Sequence, residues 1–145
     1  MYGLGEPKFT HFKPLMSLYA RVVQTRRLAA GARVSYLGTW QAQHDTTIAT
    51  LPLGYADGVR RELSNKLSVF IPQANNYFKQ IGLITMDQLM IDLAEADSEI
   101  QAGTVIELIG RNLPLVKWTR LCSSITYELA CNLSLRLPRI YTRDF

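Results

Sequence analysis

Short stretches of strict alternation constrain this chain more than any other feature. In "LMSLYARVVQ", Met16, Leu18, Ala20 and Val22 share one parity, and Ser17, Tyr19 and Arg21 take the other. Successive side chains of a strand point to opposite faces, so this pattern specifies a strand with one buried side. "TTIATLPLGY" is a β-branched run, "KLSVFI" is a short strand closed by Pro72, and "AGTVIELIG" is a strand between two glycines. "QIGLITMDQLMIDL" reads as one long strand, bulged near Thr85–Asp87, because Ile81, Leu83, Leu89, Ile91 and Leu93 share parity. "LSLRLPRIY" alternates again through Leu133, Leu135 and Leu137.

Helical spacing occurs convincingly once. In "KWTRLCSSITYEL", Trp118, Leu121, Cys122 and Ile125 fall at i, i+3, i+4 and i+7. The expected fold is therefore mainly β, a barrel-like domain with one short helix near residues 117–126. The whole chain, 1–145, is read as that single domain.

Composition excludes several classes. With 48% apolar and 19% charged residues in 145, the chain has enough material for one packed core. No apolar run is long enough to cross a membrane as a helix. The start, "MYGLGEPKFTHFKPL", lacks the layout of a secretory signal. Two cysteines, Cys122 and Cys131, fit a reducing cytoplasm better than a disulfide scaffold. They and the two histidines lack zinc-site spacing, so no metal is expected. The net charge of +4 is spread over scattered arginines, which suits an anionic small molecule or an acidic surface as well as a solvated face.

The stretch "LPLGYADGVRR" stands out within this frame. Ala-Asp-Gly is good turn chemistry, because Gly58 tolerates positive φ and Asp57 can accept backbone N–H bonds. On that reading alone Tyr55 packs and Arg60 and Arg61 are solvated.

Further motifs occur in a fixed order: "VSYLGTW", "GYADGVRR", "MDQLMIDL", "TYEL" and "LRLPRIY". Together they resemble the C-terminal domain of alanine racemases, over nearly the whole chain from about Met1 to Arg143. The resemblance implies a β-rich domain that completes an active site begun on a (β/α)8 barrel. That barrel carries the lysine bound covalently to pyridoxal 5'-phosphate. "MYG" resembles the end of the barrel, so the cofactor lysine is expected outside this chain, and the chain alone is expected to be inactive. None of Lys8, Lys13, Lys66, Lys79 and Lys117 stands in a matching context.

Residue by residue, the resemblance implies that Tyr36 is a catalytic base that reaches into the partner subunit of a homodimer. Tyr55 and Arg61 would line the substrate entrance. Met86 would present its backbone amide to the substrate carboxylate, and Tyr127 would bond the cofactor phosphate. Substrates would be L- and D-alanine, interconverted by two bases, lysine and tyrosine, in a cytoplasmic enzyme that supplies D-alanine for peptidoglycan. No nucleic acid or membrane partner is implied. Two departures stand out. Leu37 replaces the glycine that usually follows the catalytic tyrosine, and Leu83 replaces an arginine three residues before the motif methionine. A racemase acting on serine or another amino acid is an alternative reading. From another class, so is a basic barrel that stacks nucleic-acid bases on exposed aromatics.

Overall fold

The computed structural model describes residues 14–94 and 100–142. Among these residues nine strands form: β1 (Leu18–Arg21), β2 (Gln24–Leu28), β3 (Arg33–Val34), β4 (Trp40–Gln41), β5 (Thr46–Leu51), β6 (Ser68–Ile71), β7 (Asn76–Ile81), β8 (Leu89–Ala94) and β9 (Val105–Ile109). Seven of them make one antiparallel sheet in the order β1-β9-β6-β7-β8-β5-β2, and β3 pairs with β4 separately. The curl of the sheet depends on the first two strands. The Val22 N–H donates to the Thr104 carbonyl at 2.9 Å, whereas the Val23 N–H donates to the Thr50 carbonyl at 3.0 Å. One continuous segment thus pairs with β9 through its first half and with β5 through its second. It joins the two ends of the sheet, as the expected barrel-like fold requires.

Parity succeeds where one face is buried. Leu18, Ala20 and Val22 face the core while Tyr19 is exposed. Leu89, Ile91 and Leu93 are fully buried beside Ile106, Leu108 and Trp118 in the same apolar cluster. A smaller cluster of Val34, Ile48 and Ile81 sits beneath β3 and β4.

Three expectations need correction. The long strand over 80–93 is two strands, β7 and β8, which pair antiparallel with each other. The chain reverses between them, with Gly82 at φ 69°, so the supposed bulge is a seven-residue connection over 82–88. The helix near 117–126 is also two pieces: α1 (Val116–Cys122) and α2 (Thr126–Cys131). Ser123 takes a left-handed conformation, φ 50°, and its N–H bonds back to the Thr119 carbonyl, which ends α1. Ile125 lies between the helices and is exposed, so the last position of the helical pattern is not helical. Finally, residues 133–141 form no strand. Leu133 and Leu137 do pack on the core, but Leu135 is exposed, and Pro138 supplies no N–H for a ladder.

β2 and β7 were not anticipated in full. β2, "QTRRL", has no fully buried residue, so its sequence carries no apolar period to detect.

Candidate active site

Four of the five residues singled out in the sequence converge. Tyr36, Tyr55, Arg61 and Met86 line one open cavity of about 650 Å³, together with Ile84, Thr85, Asp87 and Gln88. Each comes from a different local device.

Tyr36 follows β3, whose Val34 is anchored in the small apolar cluster. The Ser35 hydroxyl donates to the Leu83 carbonyl at 2.6 Å, which fixes the exit of the strand. The phenol is 71% exposed and therefore free to reach outward. Its neighbours are both strained. Ser35 has φ 62° and ψ −178°, a region almost reserved for glycine, and Leu37 has φ 62° and ψ 0°. A left-handed conformation costs a non-glycine residue about 1–2 kcal/mol. Leu37 therefore sits where a glycine would be favoured, and it bears that strain. Such strain persists only where surrounding contacts enforce it.

Tyr55 opens a 3-10 turn, Tyr55–Asp57, separated from the end of β5 by three residues. Its N–H donates to the Thr85 carbonyl at 3.0 Å, and the Ala56 N–H donates to the Met86 carbonyl at 3.0 Å. A Cβ at Gly54 would lie 2.2 Å from both of those carbonyl oxygens, so only glycine permits this approach. The close approach sets the Tyr55 loop directly on the Met86 loop. Met86 is exposed. Among the described residues its N–H meets no acceptor. That leaves a donor at the cavity wall.

Arg61 begins the next 3-10 turn, Arg61–Leu63. The preceding Arg60 is held by Glu62 at 3.1 Å and by Glu128 at 3.0 Å. Arg61 forms no ion pair among the described residues, so its charge faces the cavity unneutralised.

Tyr127 is the exception. It lies half-exposed on α2 and is not part of the cavity wall. Its neighbour Glu128 binds Arg60 and accepts the Ser124 hydroxyl, which links α2 to the segment carrying Arg61. Leu83 contributes its carbonyl to Ser35 but is not among the lining residues.

The sequence marked Asp57 only as turn chemistry, and Asp87 for no role at the site. Asp57 is 3% exposed. Burial pushes its carboxyl up, but hydrogen bonds from Arg136 and the Gly54 N–H, with the Arg136 charge, leave it below the usual carboxylate range. Arg136 is correspondingly raised, by its hydrogen bonds to Asp57 and Asp87. Among the described residues no group of three His, Cys, Asp or Glu could hold a metal ion.

Comparison with known proteins decides the family. Residues 15–141 match the model for "Alanine racemase, C-terminal domain". This chain belongs to the alanine racemase C-terminal domain family. The alanine racemase of Nostoc sp. is 39% identical over 132 residues, which is 88% of this chain and 33% of that protein. Alanine racemase 1 of Clostridium acetobutylicum is 36% identical over 138 residues, 92% of this chain and 35% of that protein. Alanine racemase from Bartonella henselae, whose crystal structure contains covalently bound pyridoxal phosphate, superposes with a TM-score of 0.89 at 34% identity, covering 97% of this chain and 39% of that one. The chain thus spans about a third of the length of the curated racemases it matches.

Among the described residues of this alanine racemase domain, no lysine lines the Tyr36–Met86 cavity to attach that cofactor covalently. Lys66 and Lys117 line a separate hollow beside Trp118, and Lys79 stands on β7. What the domain offers is phenols, one guanidinium and a backbone donor.

Proposed function

We propose that this domain supplies one wall of the active site of a pyridoxal-phosphate-dependent alanine racemase that interconverts L- and D-alanine. The observation that supports this most is the meeting of Tyr36, Tyr55, Arg61 and Met86 at one cavity within a domain of this family. Tyr36 is the base that removes and returns the α-proton on the L face, and a lysine outside the described residues serves the other face. The bound cofactor spreads the charge left on the α-carbon. Tyr127, which lies off this wall, would hold the cofactor phosphate within its own subunit through its phenol. Met86 N–H orients the substrate carboxylate, while Arg61 draws the anion inward and Tyr55 narrows the approach with a rigid ring tipped by one hydroxyl.

Tyr36 is exposed on a strained turn, which suits a side chain that completes the site of a second subunit. We therefore read the working enzyme as a homodimer, cytoplasmic, making D-alanine for the cell wall. This domain alone, with no lysine at the cavity among the described residues, would not racemise.

The test is Tyr36→Phe in a complete racemase carrying this domain. It keeps the ring and removes the proton-transferring oxygen. Exchange of the α-hydrogen with D2O is followed separately from L- and from D-alanine. Exchange from L-alanine should fall by about 10²–10⁴-fold, the usual share of a general acid–base group. Exchange from D-alanine should retain more of its rate, while net racemisation falls in both directions. Equal small losses, with racemisation near wild type, would remove Tyr36 from the role. L- and D-serine run alongside separate the alanine reading from a broader one.

A further inference from the structure

Arg136 lies outside the cavity wall, on the segment after α2, yet its guanidinium spans the two loops that carry Tyr55 and Met86. Nε donates to Asp57 Oδ1 at 2.6 Å and Nη2 to Asp57 Oδ2 at 3.0 Å. The same Nη2 donates to Asp87 Oδ1 at 2.7 Å. Asp57 closes the turn that Tyr55 opens, and its Oδ2 also accepts the Gly54 N–H at 2.8 Å. The Asp57 carbonyl in turn accepts the Ser134 N–H at 3.2 Å, so the Arg136 segment is held from both ends. Asp87 follows Met86 directly and lines the cavity.

We propose that Arg136 is a positioning residue that sets the spacing and orientation of Tyr55 and Met86. The proposal rests on the reading of the cavity as the alanine site. Without Arg136, the direct hydrogen bonds left between the Tyr55 turn and residues 85–87, among the described residues, are those of the Tyr55 and Ala56 N–H groups, beside the close approach at Gly54. Tyr55 is exposed and Ala56 only partly buried, so water can compete for bonds at this edge once the clamp is lost. The buried Asp57 carboxylate would lose its cationic partner. It would then either take up a proton or draw the turn outward into water, and both outcomes move Tyr55. A guanidinium fork is needed because three carboxylate oxygens on two loops are bonded at once. A lysine in its place is a point charge without that planar fork.

A simple stabilising ion pair would act on the whole domain alike, and an isolated, half-exposed pair contributes little. A positioning residue acts locally, and that difference can be measured. In the 145-residue chain, amide hydrogen exchange is compared for wild type, Arg136→Met, Arg136→Lys and Asp87→Asn. For Arg136→Met, exchange at Gly54, Tyr55 and Ala56 should rise by about 10- to 100-fold, the scale of losing charge-assisted hydrogen bonds. Amides of β5 and β8 should keep their protection. Arg136→Lys should recover part of it. Asp87→Asn cuts only the Met86 arm and should produce a smaller rise, confined to Ala56. Because it leaves the Asp57 pair intact, it also decides the matter if Arg136→Met does not fold. Unchanged exchange, or a uniform rise across the sheet, overturns the proposal.

In a complete racemase carrying the domain, Arg136→Lys should raise the KM for alanine several-fold more than it lowers kcat. Local loosening with alanine kinetics untouched would keep Arg136 as a clamp on these loops but refute its role in positioning for alanine. Should Tyr36→Phe fail its own test while Arg136→Met loosens the loops as expected, the fault lies with the reading of the cavity.

Discussion

The hydroxyl of Ser35 and the carbonyl of Leu83 meet at 2.6 Å, and through them the turn carrying Tyr36 is tied to the loop carrying Met86. Removing this bond tests the tie. Ser35→Ala should destabilise the domain by about 1 kcal/mol, the ordinary net value of such a bond. Urea denaturation should show a lower midpoint at unchanged slope. A midpoint equal to wild type would mean that the packing of Val34 alone holds the turn.

Leu37 offers the opposite experiment. Relief of its left-handed conformation gains about 1–2 kcal/mol, and the extra freedom of glycine in the unfolded chain takes back about 0.5–1 kcal/mol. Leu37→Gly should therefore raise stability by roughly 0.5–1 kcal/mol. Leu37→Ala keeps a Cβ and should gain far less. A lower melting temperature for the glycine variant would show that the exposed leucine makes a contact worth more than its strain.

Gly54→Ala should be among the most damaging single changes in the domain. Its new Cβ would fall 2.2 Å from two backbone oxygens, so the 85–86 loop must move. A loss of about 3 kcal/mol or more is expected, since backbone, not a flexible side chain, has to give way. Thermal denaturation measures it, and a loss below about 1 kcal/mol would show that the loops separate easily.

The acid limb of stability should carry the signature of Asp57. Its folded carboxyl lies below the ordinary range. The unfolded chain therefore binds this proton first as pH falls. The stabilisation is fully present above the unfolded value of about 3.9 and disappears as pH drops through the folded value. Asp57→Asn should be less stable than wild type at neutral pH, and the gap should narrow in acid below about pH 4. A gap independent of pH would point to lost packing instead of lost charge.

Borohydride treatment of the chain with pyridoxal phosphate should leave no single lysine stoichiometrically modified. Among the described residues, Lys66, Lys79 and Lys117 all lie outside the Tyr36–Met86 cavity, and no lysine of the chain stands in a cofactor-lysine context, so only scattered labelling is expected. Peptide mapping that found one fully labelled lysine would overturn this.

The sequence showed the core-facing strands because burial on one side imposes a period of two. Leu18, Ala20 and Val22 display it, and so do Leu89, Ile91 and Leu93. It hid β2 because Gln24–Leu28 buries neither face completely. Parity misled between Ile81 and Leu89, where a reversal of the chain happened to preserve the alternation. The helical pattern overran Ser123 because a left-handed serine announces itself far less than a glycine would. Four residues that meet at the cavity stood in the ordered motifs. Arg136 stood in one too, "LRLPRIY", but its pairing did not show, because its partner Asp57 lies 79 positions earlier. Asp57 itself looked like ordinary turn chemistry, and its Gly54 bond is just that.

The handover at Val22–Val23 has a bearing on how the domain comes into being. During synthesis the segment that forms β1 emerges early, but Leu18 must wait for Ile109 before its ladder can close. Its second half finds β5 much sooner. Closing the longer loop costs more chain entropy, and that cost comes before its contacts reward it. The seam between β1 and β9 should therefore be the last part of the ring to lock on the ribosome. Until it does, a nascent chain carries an open, apolar-faced sheet whose unpaired edges can recruit a neighbour.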